Sequence, residues 1–227
     1  MPVPPRSPPS ILDHIVAQRL LDVATAKTFV SEQALRDRIA ARAPACDFAA
    51  TLAAAAPLGL LAEIKRASPS KGDIAKGIDA PQQALVYALA GACTISTLTE
   101  PMWFKGSLAD MEGVRAALEG AGLSPGGTCV LRKDFVVDEY MLLEARAHGA
   151  DTALLIVAAL SAAELSSLMA FSRSLGMEPL VEAANEGEMR VALDAGARVI
   201  GVNNRNLHTF KLDLETTARI ARQVGRR

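Results

Sequence analysis

The stretch that decides the fold is Cys129-Val130-Leu131-Arg132-Lys133-Asp134-Phe135, an apolar run that leads into three consecutive ionisable residues. Similar runs, apolar at first and then charged or polar, occupy residues 60–65, 179–182 and 199–205. A parallel strand covered on both faces is nearly all apolar, so each run predicts a buried strand. Charged side chains at the ends of such strands cost desolvation energy unless they are paired or solvated. The pattern therefore predicts a site where several strand ends converge, as in a barrel enzyme.

Length and composition predict one domain in a reducing compartment. The chain has 227 residues, of which 50% are hydrophobic, and a formal net charge of −1. The near-zero charge gives no electrostatic reason to expect nucleic acid or an acidic membrane surface as a partner. Cys46, Cys93 and Cys129 show no CxxC pair or metal-ligand spacing, and two of them lie in apolar strand runs, so we expect small buried thiols in a reducing compartment, the cytoplasm. No apolar run approaches the roughly 20 residues of a membrane span, and the Pro-rich start does not resemble a secretory signal.

The amino-terminal part predicts an irregular start followed by helices. Residues 1–10 are rich in proline, which fixes φ and removes backbone donors, so we expect them to be disordered. A capping-box pattern at Ser10 precedes apolar residues that recur at helical spacing over 11–29, and a second helix is predicted over 31–42. We therefore assign residues 11–59 to a helical extension.

From residue 60 to the end, strand-like and helix-like segments alternate. The strand-like runs begin near Leu60, Ala92, Cys129, Asp151, Glu178 and Arg198. The helical segments that follow them are Ala80–Ala90, Leu108–Glu119, Glu139–His148, Ala162–Leu175, Glu186–Ala195 and Leu214–Val224. Repeated βα units of this kind predict a parallel sheet with right-handed crossovers. Gly91, Gly149 and Gly196 stand where three helices give way to strands, and we expect a left-handed conformation at each.

Two architectures are built from such units, the doubly wound open sheet and the (βα)8 barrel. A doubly wound sheet usually carries phosphate-binding glycines directly after its first strand, whereas Lys65-Arg66-Ala67-Ser68-Pro69-Ser70-Lys71-Gly72 stands there in this chain. We therefore predict an α/β fold of the (βα)8 TIM-barrel type, with units one to six in residues 60–227. A complete barrel takes about 250 residues, so we expect a barrel truncated after its sixth unit.

Five motifs, in order along the chain, resemble indole-3-glycerol phosphate synthase. They occupy residues 61–72 (LAEIKRASPSKG), 98–108 (LTEPMWFKGSL), 131–135 (LRKDF), 180–182 (LVE) and 201–207 (GVNNRNL). The similarity runs from about Ile11 to the carboxyl terminus, and five motifs in sequence are specific where one alone would be weak. The resemblance implies a TIM barrel and a reaction that closes the pyrrole ring of indole in tryptophan biosynthesis.

The resemblance implies a carboxy-lyase with four catalytic side chains. Its substrate, 1-(2-carboxyphenylamino)-1-deoxyribulose 5-phosphate, would condense, lose CO₂ and then lose water. Lys133 would be the general acid at the ketone oxygen, and Lys65 would contact the substrate's carboxylate and phosphate. Glu63 and Glu182 would orient the lysines and transfer protons during dehydration. How the four residues divide the acid and base work stays open.

Five further residues are implied to bind substrate. Asn203 and Arg205 would hold its polar groups. Phe104 and Phe135 would form an apolar wall for the anthranilate ring, and Ser68 would lie near the polar contacts of the first loop. The resemblance implies no metal or organic cofactor, and a small phosphorylated molecule as the ligand. The alternative interpretation, ion pairs that only cap the barrel mouth, is weakened by two lysines and two glutamates on three different strands.

The sequence departs from the family at its end. The seventh and eighth βα units, whose loops form the phosphate site in barrels of this type, are not found after residue 224. Two functional classes therefore stay open. The first is an indole-3-glycerol phosphate synthase, or one portion of it, fused to or associated with other tryptophan-pathway domains. The second is an inactive barrel fragment that serves as an interaction partner.

Overall fold

The computed structural model of the chain describes residues 9–124, 126–207 and 211–224. Three helices come first: α1 (Ile11–Phe29), α2 (Glu32–Ala40) and α3 (Phe48–Ala54). The predicted disordered start, residues 1–10, lies outside the described residues except for its last two positions.

Strands and helices then alternate along the chain. The strands are β1 (Leu61–Ile64), β2 (Ala67–Ser68), β3 (Gly72–Asp73), β4 (Thr94–Leu98), β5 (Cys129–Lys133), β6 (Thr152–Ile156), β7 (Leu180–Ala183) and β8 (Val199–Val202). The helices are α4 (Ala80–Leu89), α5 (Leu108–Gly120), α6 (Glu139–Ala147), α7 (Ala162–Ser174), α8 (Glu186–Asp194) and α9 (Glu215–Val224), with a 3₁₀ turn at Val157–Ala159. Within these elements, none of the helices has the length and apolar character of a membrane span.

Six of the strands form one parallel sheet in the order β1-β4-β5-β6-β7-β8. Each sheet strand therefore lies beside the next one along the chain. A doubly wound sheet would reverse its order at a switch point, and no reversal occurs among these six strands. The sheet is instead a curled half-barrel with β1 and β8 at its edges, which confirms the predicted barrel-type α/β fold with about six units.

The alternation of strand-like and helix-like segments predicted the positions of these elements well, because the ends of the elements carry local signals. The six sheet strands begin within two residues of the predicted positions. At α1, the Ser10 hydroxyl accepts a hydrogen bond from the Asp13 N–H while the Asp13 carboxylate accepts one from the Ser10 N–H, which is the predicted capping box. An N-cap side chain that accepts a backbone N–H also begins each of α2 to α8, and at α7 it forms a second reciprocal capping box.

The three helix-ending glycines adopt the predicted left-handed conformation. Gly91, Gly149 and Gly196 have φ values of 99°, 92° and 80°. Gly149 has a second requirement, because a Cβ there would lie 2.6 Å from Cγ of Arg115. This glycine therefore permits both the turn out of α6 and the close packing of α5 against it.

Two local structures were not predicted. Helix α3 carries the fully buried Phe48, which packs with Cys129 of β5 and with Leu61 and Val199 near the starts of β1 and β8. The helix thereby covers the amino-terminal end of the half-barrel. The antiparallel pair β2 and β3 forms a short hairpin in the loop after β1.

The helical extension also supports the opposite end of the sheet. Leu12 and Ile15 of α1 are buried against Phe135, Leu154 and Ile156. These three residues lie at or just beyond the carboxyl-terminal halves of β5 and β6. Helix α1 therefore backs the strand ends that the sequence predicted to carry the site.

Candidate active site

A cavity of about 420 Å³ opens at the carboxyl ends of the sheet strands. All the residues predicted for the site line it: Glu63, Lys65, Ser68, Phe104, Lys133, Phe135, Glu182, Asn203 and Arg205. They come from β1, β5 and β7 and from the loops that follow β1, β4, β5 and β8. With Lys71 included, four cationic and two acidic side chains give the lining a net charge of +2. Such a cavity attracts a substrate that carries several negative charges.

Glu63 lies between Lys65 and Lys133, two of the lysines of the cavity. One carboxylate oxygen pairs with Lys65 Nζ, and the other lies 3.9 Å from Lys133 Nζ. The side chains of Glu63, Lys65 and Lys133 are 30%, 34% and 27% exposed, so all three can be reached from the cavity. An ammonium has three N–H donors, and one carboxylate cannot occupy those of two lysines. Both ammonium groups can therefore also bind substrate oxygens.

Lys65 and Lys133 each have an arginine beside them in the sequence that points away from the cavity. Arg66 donates two hydrogen bonds to Asp110, at 2.6 and 2.7 Å. Arg132 is fully buried and donates to Glu144 at 3.1 Å on the helix side of the sheet. Successive side chains of a strand point to opposite faces, which places Arg132 and Lys133 of β5 in two different environments.

A second polar group links the ends of β7 and β8. Asn203 donates a hydrogen bond from Nδ2 to Glu182 Oε1 at 3.0 Å and accepts one at Oδ1 from the Arg205 N–H at 2.9 Å. These two bonds define the orientation of the amide. Asn203 thereby fixes the Glu182 carboxylate on the far side of the cavity from Lys65.

Two aromatic rings form the apolar side of the cavity. The centroids of Phe104 and Phe135 are 5.8 Å apart and the rings are tilted by 42°. This distance lies in the favourable range for aromatic pairs. Phe135 is only 7% exposed, because α1 packs against it, so the wall has a rigid support.

The hairpin after β1 brings polar groups to the rim of the cavity. Ser68 pairs with Gly72, whose φ of 64° suits glycine, and Ser68 and Lys71 both line the cavity. Sequence reasoning missed Lys71 as a lining residue, although a cation in a Ser-Lys-Gly turn beside the first motif was a usable signal. It also missed the apolar lining residues Ile74, Ile156, Val202 and Leu207.

Directly behind the cavity lies a group of charged and polar side chains that we call the buried ion cluster, consisting of Arg19, Thr99, Arg132, Asp134 and Glu144. Asp134 accepts hydrogen bonds at Oδ2 from Thr99 at 2.6 Å, from Arg132 at 3.0 Å and from Arg19 of α1 at 3.1 Å. Burial alone would raise the pKa of Asp134, but the Arg132 and Arg19 charges and the hydrogen bonds hold that pKa below its usual range. The cluster anchors the end of β5 to α1.

Comparison with known proteins identifies the family to which the chain belongs. The family model of indole-3-glycerol phosphate synthase matches residues 12–227. The chain belongs to the indole-3-glycerol phosphate synthase family. It is 47% identical to an indole-3-glycerol phosphate synthase of Roseiflexus sp. (strain RS-1) over 212 residues, which is 93% of this chain and 78% of the relative.

Another relative of the family is much longer. The chain is 53% identical over 224 residues to a multifunctional tryptophan biosynthesis protein of Phanerodontia chrysosporium, covering 96% of this chain and 28% of the relative. The chain thus spans less than a third of the length of that protein. A structural match, the carboxyl transferase domain of Rhizobium etli pyruvate carboxylase, has a TM-score of 0.51 and 13% identity over 78% of this chain and 32% of that one, and shows the fold alone.

Among the described residues, one group could be considered as metal ligands, at the opposite end of the strands. The ligand atoms of Cys46, Cys129 and Asp151 lie within 4.8 Å of one another. Asp151, however, already accepts hydrogen bonds from the Cys46 and Val130 N–H groups and pairs with Arg115. Burial raises the pKa of the Cys129 thiol to about 12, so it stays protonated. These contacts describe a packed structural cluster in which a guanidinium already supplies the positive charge.

Proposed function

We propose that the chain catalyses the reaction of its family, the conversion of 1-(2-carboxyphenylamino)-1-deoxyribulose 5-phosphate to indole-3-glycerol phosphate in tryptophan biosynthesis. The observation that carries the proposal is the arrangement of Lys65 and Lys133 on either side of Glu63, in an open cavity with a net charge of +2. The substrate carries a carboxylate and a phosphate, so its charge complements that of the cavity.

The first step forms a carbon–carbon bond. The ring carbon that bears the carboxylate attacks the ketone carbon, and the electron pair of the C=O bond moves to oxygen. Lys133 donates a proton to that oxygen, which becomes a hydroxyl group. Lys65 balances the charge of the substrate carboxylate. A general acid in such a position contributes about 10²–10⁴-fold to the rate.

The next two steps release CO₂ and water. The bond between the ring and the carboxylate breaks, and its electron pair restores the aromatic ring. The new hydroxyl then leaves as water with a proton from an acid, while a base removes a proton from the neighbouring CH₂ carbon. Glu63 contacts Lys65, and Glu182 accepts a hydrogen bond from Asn203, which supports their assignment to orientation and proton transfer.

The remaining lining residues bind the two ends of the substrate. Phe104 and Phe135 offer a surface 5.8 Å from centroid to centroid on which the anthranilate ring packs. Asn203 and Arg205 hold polar groups of the ribulose chain, and Ser68 contributes a hydroxyl from the first loop. The aromatic end and the reacting ketone are thereby held together, which lowers the entropic cost of ring closure.

The proposal extends to partners and location. Relatives from Phanerodontia chrysosporium and Schizosaccharomyces pombe are named multifunctional tryptophan biosynthesis proteins, which supports fusion to or association with other domains of that pathway. We place the reaction in the cytoplasm, where thiols stay reduced, and the free cysteines Cys46, Cys93 and Cys129 support this assignment.

The test is turnover of the substrate by the 227-residue chain, measured as formation of indole-3-glycerol phosphate. We expect Lys133→Met to lower kcat by about 10²–10⁴-fold while the dissociation constant of the substrate changes less than about threefold. The matched control is Lys76→Met, because Lys76 is 73% exposed and lies outside the cavity. A chain that binds the substrate without consuming it would contradict the catalytic proposal and support the alternative, an inactive barrel that acts as an interaction partner.

A further inference from the structure

Glu100, two residues after β4, is a buried carboxylate that binds only to its own loop. The residue is 0% exposed. Its Oε1 accepts a hydrogen bond from the Met102 N–H at 2.8 Å, and its Oε2 accepts bonds from the Trp103 and Phe104 N–H groups at 2.7 and 2.9 Å. Three consecutive backbone donors therefore point at one side chain.

The charge of Glu100 is compensated by these N–H groups rather than by a cation. In the part of the chain that the structure describes, no lysine, arginine or histidine forms an ion pair with it. A buried charge is costly unless hydrogen bonds satisfy it. Three N–H donors converge on Glu100, so both of its carboxylate oxygens are needed as acceptors. A glutamine amide has one acceptor oxygen, and its NH₂ group would face an N–H. The carboxylate is therefore specific to this loop shape.

The loop shape decides where Phe104 lies. The Glu100 carbonyl accepts a hydrogen bond from the Gly106 N–H at 3.0 Å, which closes residues 101–106 into a compact turn. Gly106 packs so closely that a Cβ there would lie 2.0 Å from the Leu98 carbonyl oxygen. Lys105, which lies between Phe104 and Gly106, has a φ of 57°, a value that is rare for residues other than glycine. The turn thus has little freedom, and it presents the Phe104 ring to Phe135 and the cavity.

We propose that Glu100 is a positioning residue: its buried carboxylate folds residues 101–106 around itself and so fixes Phe104 as the wall for the aromatic ring of the substrate. The proposal rests on the proposed function, since it concerns the same cavity and the same substrate. It adds a residue that touches no substrate atom and acts only through Phe104. Its effect should therefore depend on the presence of that ring.

The first experiment is a double-mutant cycle on ligand binding. The probe is the substrate with its ketone reduced to an alcohol, which cannot undergo ring closure, and its affinity is measured by calorimetry. We expect Glu100→Gln and Phe104→Ala each to weaken binding about tenfold, and the double variant to bind no worse than Phe104→Ala alone. Additive losses, or an affinity unchanged in Glu100→Gln, would overturn the proposal.

The second experiment reads the loop without any ligand. Trp103 is the only tryptophan in the sequence, and its N–H is one of the three that Glu100 binds, so its fluorescence reports the state of the turn. We expect its emission to move to longer wavelength in Glu100→Gln and in Glu100→Asp. The Asp variant has a shorter side chain but keeps the charge, so it provides the test if Glu100→Gln does not fold. Glu178→Gln is the matched control, because this 10% exposed carboxylate lies before β7 and pairs with Arg173. Emission equal to that of the unaltered chain in both Glu100 variants would contradict the loop contact.

The two experiments distinguish a failure of the Glu100 proposal from a failure of the proposed function on which it rests. If the unaltered chain does not bind the reduced analogue, the proposed function fails, and with it the role of Phe104 as a wall for the ring. An emission shift in the same preparation would still show that Glu100 folds the turn. If the analogue binds tightly and Glu100→Gln changes neither binding nor emission, the function stands and the inference fails.

Discussion

The residues on the two faces of β5 are chemically similar, yet the structure gives them opposite environments. On the cavity side, Lys133 shares Glu63 with Lys65, and all three side chains are about a third exposed. On the helix side, Arg132 and Asp134 belong to the buried ion cluster and are 0% and 1% exposed. The first group has N–H donors left for a ligand, whereas the second has used most of its donors within the protein.

The difference shows how one strand end can carry both accessible charges that a ligand can reach and buried charges that hold the fold together. A charge that has to act on a ligand must be reachable from the cavity, so Glu63, Lys65 and Lys133 keep part of their surface exposed. A charge that holds two elements together needs all its partners inside the protein, because an unpaired buried charge is very costly. Arg132 and Asp134 fix the backbone on both sides of Lys133, and this fixed backbone is what lets a partly exposed lysine keep its place.

The largest effect that separates the two groups should appear when each loses its central carboxylate. Asp134→Asn leaves Arg19 and Arg132 without their shared negative partner, so we expect the free energy of unfolding to fall by about 3–5 kcal/mol. Glu63→Gln affects a pair that is 30% exposed, so we expect a change within about 1 kcal/mol, together with a loss of turnover. Urea unfolding of both variants measures the contrast. Equal losses of stability would show that the two clusters do not differ in this way.

A smaller effect concerns acid stability. The pKa of Asp134 is held below its ordinary value of 3.8 in the folded chain, so near that pH the unfolded state binds more protons than the folded state. The stabilisation is therefore fully present above about pH 5 and is lost as pH falls through the lowered pKa. We expect the free energy of unfolding to decline between about pH 5 and pH 3, and to decline less steeply in Asp134→Asn, which cannot titrate there. Parallel curves for the two proteins would remove Asp134 from this role.

Much of the fold was readable from the sequence because its signals are local. Apolar runs, helix caps such as Ser10 and the helix-ending glycines such as Gly149 each act over a few residues, and they located the βα units within two residues. The cavity residues were found in another way, by the resemblance of five motifs, and their roles stay predictions. The structure adds that one cavity brings these residues together.

Other features could not be predicted because they depend on long-range packing. The run Cys129-Val130-Leu131 is apolar on both faces, so it does not show which of Arg132 and Lys133 points to the cavity. Helix α3 is rich in alanine and lacks a polar face to reveal it. Glu100 lay within a recognised motif, but its partners are backbone N–H groups of a turn that has no periodic pattern.

The smallest expected effect compares one substitution, threonine to valine, at Thr97 in β4 and at Thr99, which follows β4 on the same side. Thr99 is 3% exposed, donates a hydrogen bond to Asp134 at 2.6 Å and accepts one from Arg132 at 3.1 Å. Thr97 is 1% exposed, and its hydroxyl has no hydrogen-bond partner within the described ranges. We expect Thr99→Val to lower the free energy of unfolding by about 1.5–3 kcal/mol, because hydrogen bonds to charged groups are lost. Thr97→Val should raise it by up to about 1 kcal/mol, since an unsatisfied hydroxyl leaves the interior. Urea unfolding of both variants measures these changes. A loss of stability at both positions would mean that the Thr97 hydroxyl is hydrogen-bonded in solution. No loss of stability at Thr99 would mean that Arg19 and Arg132 alone hold Asp134.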